Sequence, residues 1–236
     1  MTRRRWVADE FSPNQAAITG DHADHLIRVL RARVGQEFDI ATGGGVRRGR
    51  ILSIHNDRVE FELGEEIPAS PTLKLTLLLA IFKFDRMEWA IEKCTELGVS
   101  RIVPVIARRT DAHLATASAK RTERWRRIAL QAAEQSRRIT PPEIAAPIKL
   151  PDAVTLTASV RIVLAESEQE TLLREVLTSH RTVEVVLAIG PEGGWTEEEL
   201  ELFQKAGWIF ASLGTTILRA ETAAIAATAI TLSQLS

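Results

Sequence analysis

The chain has 236 residues, 45% hydrophobic and 26% charged, with a formal net charge of −1. That length fits one large or two ordinary domains. No apolar run is long enough to cross a bilayer, and the basic start lacks the apolar stretch of a secretory signal, so cytoplasmic residence with no membrane association is expected. A lone Cys94 excludes an intrachain disulfide framework and a multi-cysteine zinc site, and the five histidines lack ligand spacing, so no metal is expected.

Residues 1–70 alternate short β-like runs (37–41, 46–54 and 58–63) with turn signals, a spacing that predicts a small β-barrel. One helix is expected from Asp21 or Asp24 to Arg33, ended near Gly35. The turn Thr42-Gly43-Gly44-Gly45 has strand-like flanks and no following Lys-Ser/Thr. It therefore reads as a hairpin turn and not a phosphate loop. Arg47, Arg48 and Arg50 beside it either touch a phosphate backbone or are simply solvated. Residues 67–71, Ile-Pro-Ala-Ser-Pro, break the pattern and place a linker, giving domains at 1–70 and 71–236.

Beyond the linker the pattern is α/β. Residues 73–81 read as a buried strand, and Asp85 with Glu88 has capping-box spacing. In the helix that follows, Met87, Ala90, Ile91, Cys94 and Leu97 recur at helical spacing, so this face is core and Cys94 a buried small hydrophobe. Gly98 ends that helix and 99–105 is the next strand. A basic helix is expected over 120–138, with Trp125, Ile128, Ala132 and Gln135 at core-like spacing, then a short strand at 161–165. The apolar run 183–189 suits a strand buried on both faces. It ends abruptly in Gly190-Pro191-Glu192-Gly193-Gly194. Thr196 and Glu199 have capping-box spacing, with Trp195 and Leu200 placed as a hydrophobic staple, and Gly207 is set to stop the helix. A run at 208–213, a turn at Gly214-Thr215-Thr216 and an Ala-rich helix over 221–235 complete the chain. Alternating strands and helices predict a mainly parallel sheet, with ligands in the loops that follow its strands.

Charge is segregated along the chain. From Arg101 to Arg138 ten basic side chains face only Asp111, Glu123 and Glu134, and from Ile139 onward the balance reverses. A basic block in a neutral protein points either to an anionic partner such as nucleic acid or to a solvated helix face. The sequence has no GxSxG elbow, HExxH, Walker loop or GxGxxG fingerprint. What it offers instead is two glycine-bearing loops after buried strands, where a small cofactor can approach bare backbone. A tight turn before a helix would account for Gly190 and Pro191, but less well for Gly193 and Gly194.

IGPEGG (189–194) followed by LGTTILRAETA (213–223) closely resembles the RsmE family, methyltransferases of the SPOUT superfamily that modify N3 of a uridine in 16S ribosomal RNA. RRRWV (3–7), HLIRVLRARVG (25–35), KCTELGVSRIVPV (93–105) and the RW…AAEQSRR pattern (124–138) extend the resemblance over nearly the whole chain. It implies an N-terminal PUA-like β-barrel, then a SPOUT α/β domain whose C-terminal segment forms a deep trefoil knot, a topology periodicity cannot reveal. It further implies S-adenosylmethionine as cofactor, a homodimer with each active site near the subunit interface, and 16S rRNA or the assembled small ribosomal subunit as partner. By the same resemblance the cofactor is held at Leu164, Ala165, Glu166, Gly190, Pro191, Glu192, Gly193, Gly194, Leu213, Gly214, Ile217 and Leu218.

Methylating uridine N3 requires that its proton be accepted and that charge on the flanking carbonyl oxygens be offset. Arg219 suits the second task, the alternative being an ion pair with Glu221. Glu192 either accepts the proton, or caps the Gly193 and Gly194 amides or the helix beyond. Arg4, His25, Arg28 and Arg31 are implied RNA contacts of the barrel, and Arg109 and Arg138 of the second domain. Lys83 and Lys93 either reach phosphate or are solvated. Arg5 stands where the family usually has an aromatic, and Arg108 where an acidic or polar residue is common; neither position touches the cofactor motifs. The competing readings are a related SPOUT enzyme acting on another RNA, which the HLIRVLR motif opposes, and an assembly factor without catalysis, which the intact glycine motifs oppose.

Overall fold

The computed structural model describes residues 5–43, 45–67, 73–136, 138, 140–180, 182 and 184–235. The chain divides into two compact units, Met1–Ser70 and Pro71–Ser236.

In the first unit β1 (Arg5–Val7), β2 (Glu10–Phe11), β3 (Gln15–Thr19), β4 (Glu37–Thr42), β5 (Gly45–His55) and β6 (Arg58–Ile67) form one sheet in the order β1-β4-β5-β6-β3-β2. The two edge strands are consecutive in the chain. Between them Ala8 N donates to Ala41 O at 2.9 Å and Asp9 N to Ala17 O at 3.0 Å. One bent segment thus pairs with both ends of the sheet and curls it round, which shields its edges. Register shifts in β5 at Arg47/Gly49 and Ile51/Ser53 help the strand bend. Trp6, Ile18, Ile40, Ile51, Val59 and Phe61 fill the inside. The turn at 42–45 closes the β4–β5 hairpin, as its composition predicts, with Gly44 outside the described residues.

Between β3 and β4 lies α1 (Gly20–Asp24), which widens directly into a π-helical turn at His25–Val29. The helix stops short of the expected Arg33. The cause is in the backbone: Arg31 adopts a left-handed conformation, φ +50°, through which a right-handed helix does not continue. Ala23 and Leu26 are fully buried, and the His25 ring sits 5.7 Å from that of Trp6.

The second unit runs β7 (Lys74–Ala80), α2 (Phe84–Leu97), β8 (Arg101–Ile106), α3 (Ala112–Gln135), β9 (Glu143–Ile144), β10 (Ile148–Lys149), α4 (Leu150–Ala153), β11 (Val160–Leu164), α5 (Leu173–Ser179), β12 (Glu184–Ile189), α6 (Glu197–Lys205), β13 (Ile209–Ala211) and α7 (Ala220–Leu235). Its sheet has the order β10-β8-β7-β12-β11-β13, with β9 also on β8, and every pairing is parallel. Leu75, Leu77, Leu79, Val185 and Leu187 pack one face against α2, α3, α5 and α7. Leu78, Ala80, Val186 and Ala188 pack the other against α4 and α6. Burial on both faces is why 77–80 of β7 and 185–189 of β12 are unbroken apolar runs.

Some local expectations need correcting. Asp85 does not cap α2: the helix begins at Phe84 with Lys83 as its N-cap residue. Glu88 instead receives a two-pronged bond from Arg124, at 2.7 and 2.9 Å. The basic helix starts at Ala112, a full two turns before Lys120, and Gln135 at its end is exposed. The elements β1, β2, β3, β9, β10, α4 and α5 are too short or too weakly patterned to stand out in sequence. Among the described residues no helix is long and apolar enough to cross a membrane.

Candidate active site

Three loops leave the carboxyl ends of the neighbouring strands β11, β12 and β13, and one cavity of about 1040 Å³ opens among them. Backbone bonds join the first and third loops: Ser212 N donates to Thr171 O and Leu173 N to Ser212 O, each at 2.9 Å. All twelve positions expected to hold a cofactor, Leu164 to Glu166, Gly190 to Gly194, and Leu213, Gly214, Ile217 and Leu218, line this one cavity. Arg109 lines it too.

The middle loop explains its own glycines. Gly194 N donates to Pro191 O at 2.8 Å, and this tight turn puts Gly194 in the left-handed region, φ +70°, where a side chain costs about 1–2 kcal/mol. At Gly193 the reason is space, because a Cβ there would lie 3.2 Å from Cδ of Arg109. Two adjacent glycines thus meet two different demands. Arg109 Nη1 donates to Gly193 O and also to Trp195 O, so this expected RNA contact is committed to shaping the loop. Trp195 Nε1 in turn donates to Leu164 O at 3.1 Å, tying the middle loop to the end of β11.

The helix after this loop starts as its spacing predicts. Thr196 and Glu199 form the capping box, with Thr196 N donating to Glu199 Oε2 at 2.9 Å. The other oxygen of Glu199 has a second task that sequence spacing does not reveal, accepting from Arg108 N at 2.7 Å. This buried carboxylate therefore fastens the loop after β8 to the start of α6. Sequence reasoning also missed Arg86, in the first turn of α2. Its Nη1 lies 2.7 Å from Glu192 Oε1 and its Nε 3.8 Å from Glu221 Oε1. Glu192 thus caps neither the glycine amides nor α6, and Glu221 pairs with Arg86 and not with Arg219.

Arg219 is exposed just beyond the third loop, outside the cavity lining, and pairs with no carboxylate among the described residues. The cavity wall is acidic, with Glu166, Glu168, Glu170, Glu192 and Glu197 against Arg109 alone. Glu168 Oε1 accepts from Glu170 N and Thr171 N, which holds its carboxyl below the usual carboxylate range. Cys94, outside this site, is buried, and burial pushes its thiol up to about 12. Among the described residues no cluster of metal-ligating side chains forms.

The basic block is largely spent within the fold. Arg101 pairs with Glu143, Arg121 and Arg124 with Glu88, and Arg126 with Glu123. Arg138 donates to Thr95 O at 2.7 Å, and burial lowers the pKa of its guanidinium. Lys93 pairs with Glu92 and Glu96. Among the described members of the block, Lys120 and Arg127 keep side chains free of hydrogen bonds and ion pairs, and Arg108 interacts through space with the Glu198 carboxylate; Arg137 lies outside the described residues. Lys83 is exposed where the chain leaves β7. In the first unit Arg28 pairs with Asp24 at 3.4 Å, Arg31 is exposed, His25 is half-buried beside Trp6, and Arg4 lies outside the described residues.

A profile of the RNA methyltransferase domain matches residues 68–232, and one of the RNA methyltransferase PUA domain matches 18–64. The chain is 36% identical over 212 residues to ribosomal RNA small subunit methyltransferase E of Synechocystis sp., covering 87% of this chain and 69% of that one. To the protein of that name from Rickettsia conorii it is 34% identical over 218 residues, covering 90% and 87%. A crystal structure of ribosomal RNA small subunit methyltransferase E from Neisseria gonorrhoeae, bound to S-adenosyl methionine, matches with a TM-score of 0.64 and 31% identity, covering 97% of this chain and 96% of that one. The curled sheet and the parallel α/β unit accord with the two matched domains, and the chain belongs to the ribosomal RNA small subunit methyltransferase E family.

Proposed function

We propose that this protein transfers a methyl group from S-adenosylmethionine to 16S ribosomal RNA of the small subunit, and that the acceptor is N3 of one uridine. The observation that carries the reading is the single cavity built by three loops at the sheet's carboxyl edge. Its residues fit the cofactor. Gly214 leaves backbone bare in the lining, with nothing within 4 Å of where a side chain would stand, and the acidic wall suits a cationic sulfonium. Residues 213–218 make no hydrogen bond with other described residues, so their polar backbone groups are available to a ligand.

When bound, S-adenosylmethionine supplies an electrophilic methyl group on a positively charged sulfur. The chain's own work is to align the uracil and manage its proton. Glu192, at the cavity rim, is the proposed acceptor of the N3 proton. Loss of that proton leaves N3 nucleophilic and spreads negative charge onto O2 and O4, which the Arg219 guanidinium offsets. The curled sheet of residues 1–70 is the proposed RNA-binding domain, through Arg4, His25, Arg28 and Arg31, and residues 71–236 the proposed methyltransferase domain. Lys83 is proposed to meet RNA phosphate, whereas the internal bonds of Arg109 and Arg138 favour structural roles.

The finer fold proposal is a trefoil knot. It is supported by the bonds between Ser212 and the 171–173 segment, and by the return of α7 from the edge strand β13 to the face holding α2 and α5. A homodimer is supported by α7, whose only charged residue is Glu221 and whose Ile225 and Ile230 are only partly buried, and by the exposed Trp89 and Ile217. The proposed location is the cytoplasm, where the small subunit is found. The test is label transfer from methyl-labelled S-adenosylmethionine to unmodified small subunits, free 16S rRNA and transfer RNA. Label in small-subunit RNA supports the reading. Label in transfer RNA alone would point to a related transferase, and cofactor binding without transfer to any RNA to an assembly factor.

A further inference from the structure

We infer that Arg86 is a positioning residue that fixes the spacing between the two catalytic loops, holding Glu192 on one and the approach to Arg219 on the other. The inference rests on the proposed roles of Glu192 and Arg219. Arg86 lies in the first turn of α2, where a cation opposes the helix dipole and an acidic residue would serve better. Its presence there therefore calls for a reason outside the helix.

That reason is a pair of carboxylates from two distant segments. Nη1 reaches Glu192 Oε1 at 2.7 Å, on the loop after β12, and Nε lies 3.8 Å from Glu221 Oε1, in the first turn of α7. Glu221 is only 4% exposed, and its Oε2 is buried without a hydrogen-bond partner. A buried carboxylate demands a counter-charge, and Arg86 is the only cation paired with it among the described residues. The planar guanidinium can serve two carboxylates in different directions at once; a lysine offers one compact charge.

The consequence concerns the third loop. Residues 213–218 have no hydrogen bonds of their own within the described structure, so beyond Leu213, which packs on the core, the loop's course is set by its ends. One end is Ser212, bonded to the 171–173 segment. The other is the start of α7, and there Glu221, two residues beyond Arg219, is tethered by Arg86. The same guanidinium tethers the glycine loop, so one side chain sets both lips of the cavity.

The test separates positioning from simple stability. Arg86→Gln alone strands Glu221 and is expected to lower the melting temperature. The double variant Arg86→Gln/Glu221→Gln removes both charges and is expected to melt close to wild type. Positioning predicts that, in the double variant without ligand, amide hydrogens of 190–195 and 213–219 exchange about tenfold faster while those of 74–80 are unchanged. It also predicts S-adenosylmethionine affinity about tenfold weaker, with Arg86→Lys recovering only part of it. Unchanged exchange in both loops, or faster exchange throughout the domain, would overturn the inference. The exchange comparison needs no cofactor, so it decides the role of Arg86 even if cofactor binding, and with it the proposed function, were to fail.

Discussion

Changing Glu199 to Gln isolates one junction of the site. Its two carboxylate oxygens accept from Arg108 N at 2.7 Å and Thr196 N at 2.9 Å, and the residue is 6% exposed. Glutamine has the same shape but only one acceptor oxygen. Whichever amide that oxygen serves, the NH2 group confronts the other N–H, donor against donor. A hydrogen bond to a charged group is worth about 1.5–3 kcal/mol, and the stranded amide adds to that, so a loss of about 3 kcal/mol is expected. For a domain of this size that corresponds to a fall in melting temperature of about 6–12 °C. Thr196→Ala, which removes the 3.3 Å bond from Glu199 N and the hydroxyl's bond to the exposed Glu198 carboxylate, should cost about 1 kcal/mol. Scanning calorimetry of both variants beside wild type makes the comparison. A Glu199→Gln protein melting within about 2 °C of wild type would refute the idea that this carboxylate joins the loop after β8 to α6.

Other consequences can be measured separately. Gly194→Ala forces a side chain to φ +70°, with its Cβ in ordinary contact with Glu166 and Arg109 at 3.8 and 3.9 Å; it should cost about 1–2 kcal/mol and weaken S-adenosylmethionine binding in a calorimetric titration. Arg219→Ala should lower single-turnover methyl transfer about 10²- to 10³-fold with little change in cofactor affinity, since Arg219 is not part of the cavity wall. The acidic wall should favour the cationic cofactor over its neutral product S-adenosylhomocysteine by about 1 kcal/mol at low salt. That preference should shrink in titrations at about 0.5 M salt. Glu168 has its carboxyl pKa lowered by two backbone N–H donors. Its contribution is therefore present above the ordinary carboxylate value of about 4.3 and is lost as pH falls through the depressed one. Amide exchange in 165–172 should accelerate over that acid range, and Glu168→Gln should remove the dependence.

The parts of this architecture visible in the sequence are those with a local cause. Strands β7 and β12 announce themselves because both faces are buried, and the Thr196–Glu199 capping box because its partners lie three residues apart. The cavity's loops were legible from glycines at strand ends and, more sharply, from the family resemblance. What stayed hidden has partners distant in the chain. Glu88 looked like half of a capping box with Asp85, but its bonds run to Arg124 on another helix. The basic block suggested an RNA face, yet Glu88, Glu143 and the Thr95 carbonyl neutralise or occupy much of it. Gly193, which a tight turn alone does not explain, is required by Arg109 packed against it from 84 positions away. Arg86, 106 positions from Glu192, carries no local signature at all. The early end of the helix before β4 depends on the left-handed turn at Arg31, a conformation arginine rarely announces.

The most direct test of the central claim is the chemical identity of the product. Small subunits lacking the modification, incubated with the protein and S-adenosylmethionine, would be digested and their nucleosides analysed by mass spectrometry, with the modified position mapped on 16S rRNA. The account predicts N3-methyluridine at a single position. A methyl group on another base or on ribose, or none in small subunits with the cofactor demonstrably bound, would contradict it.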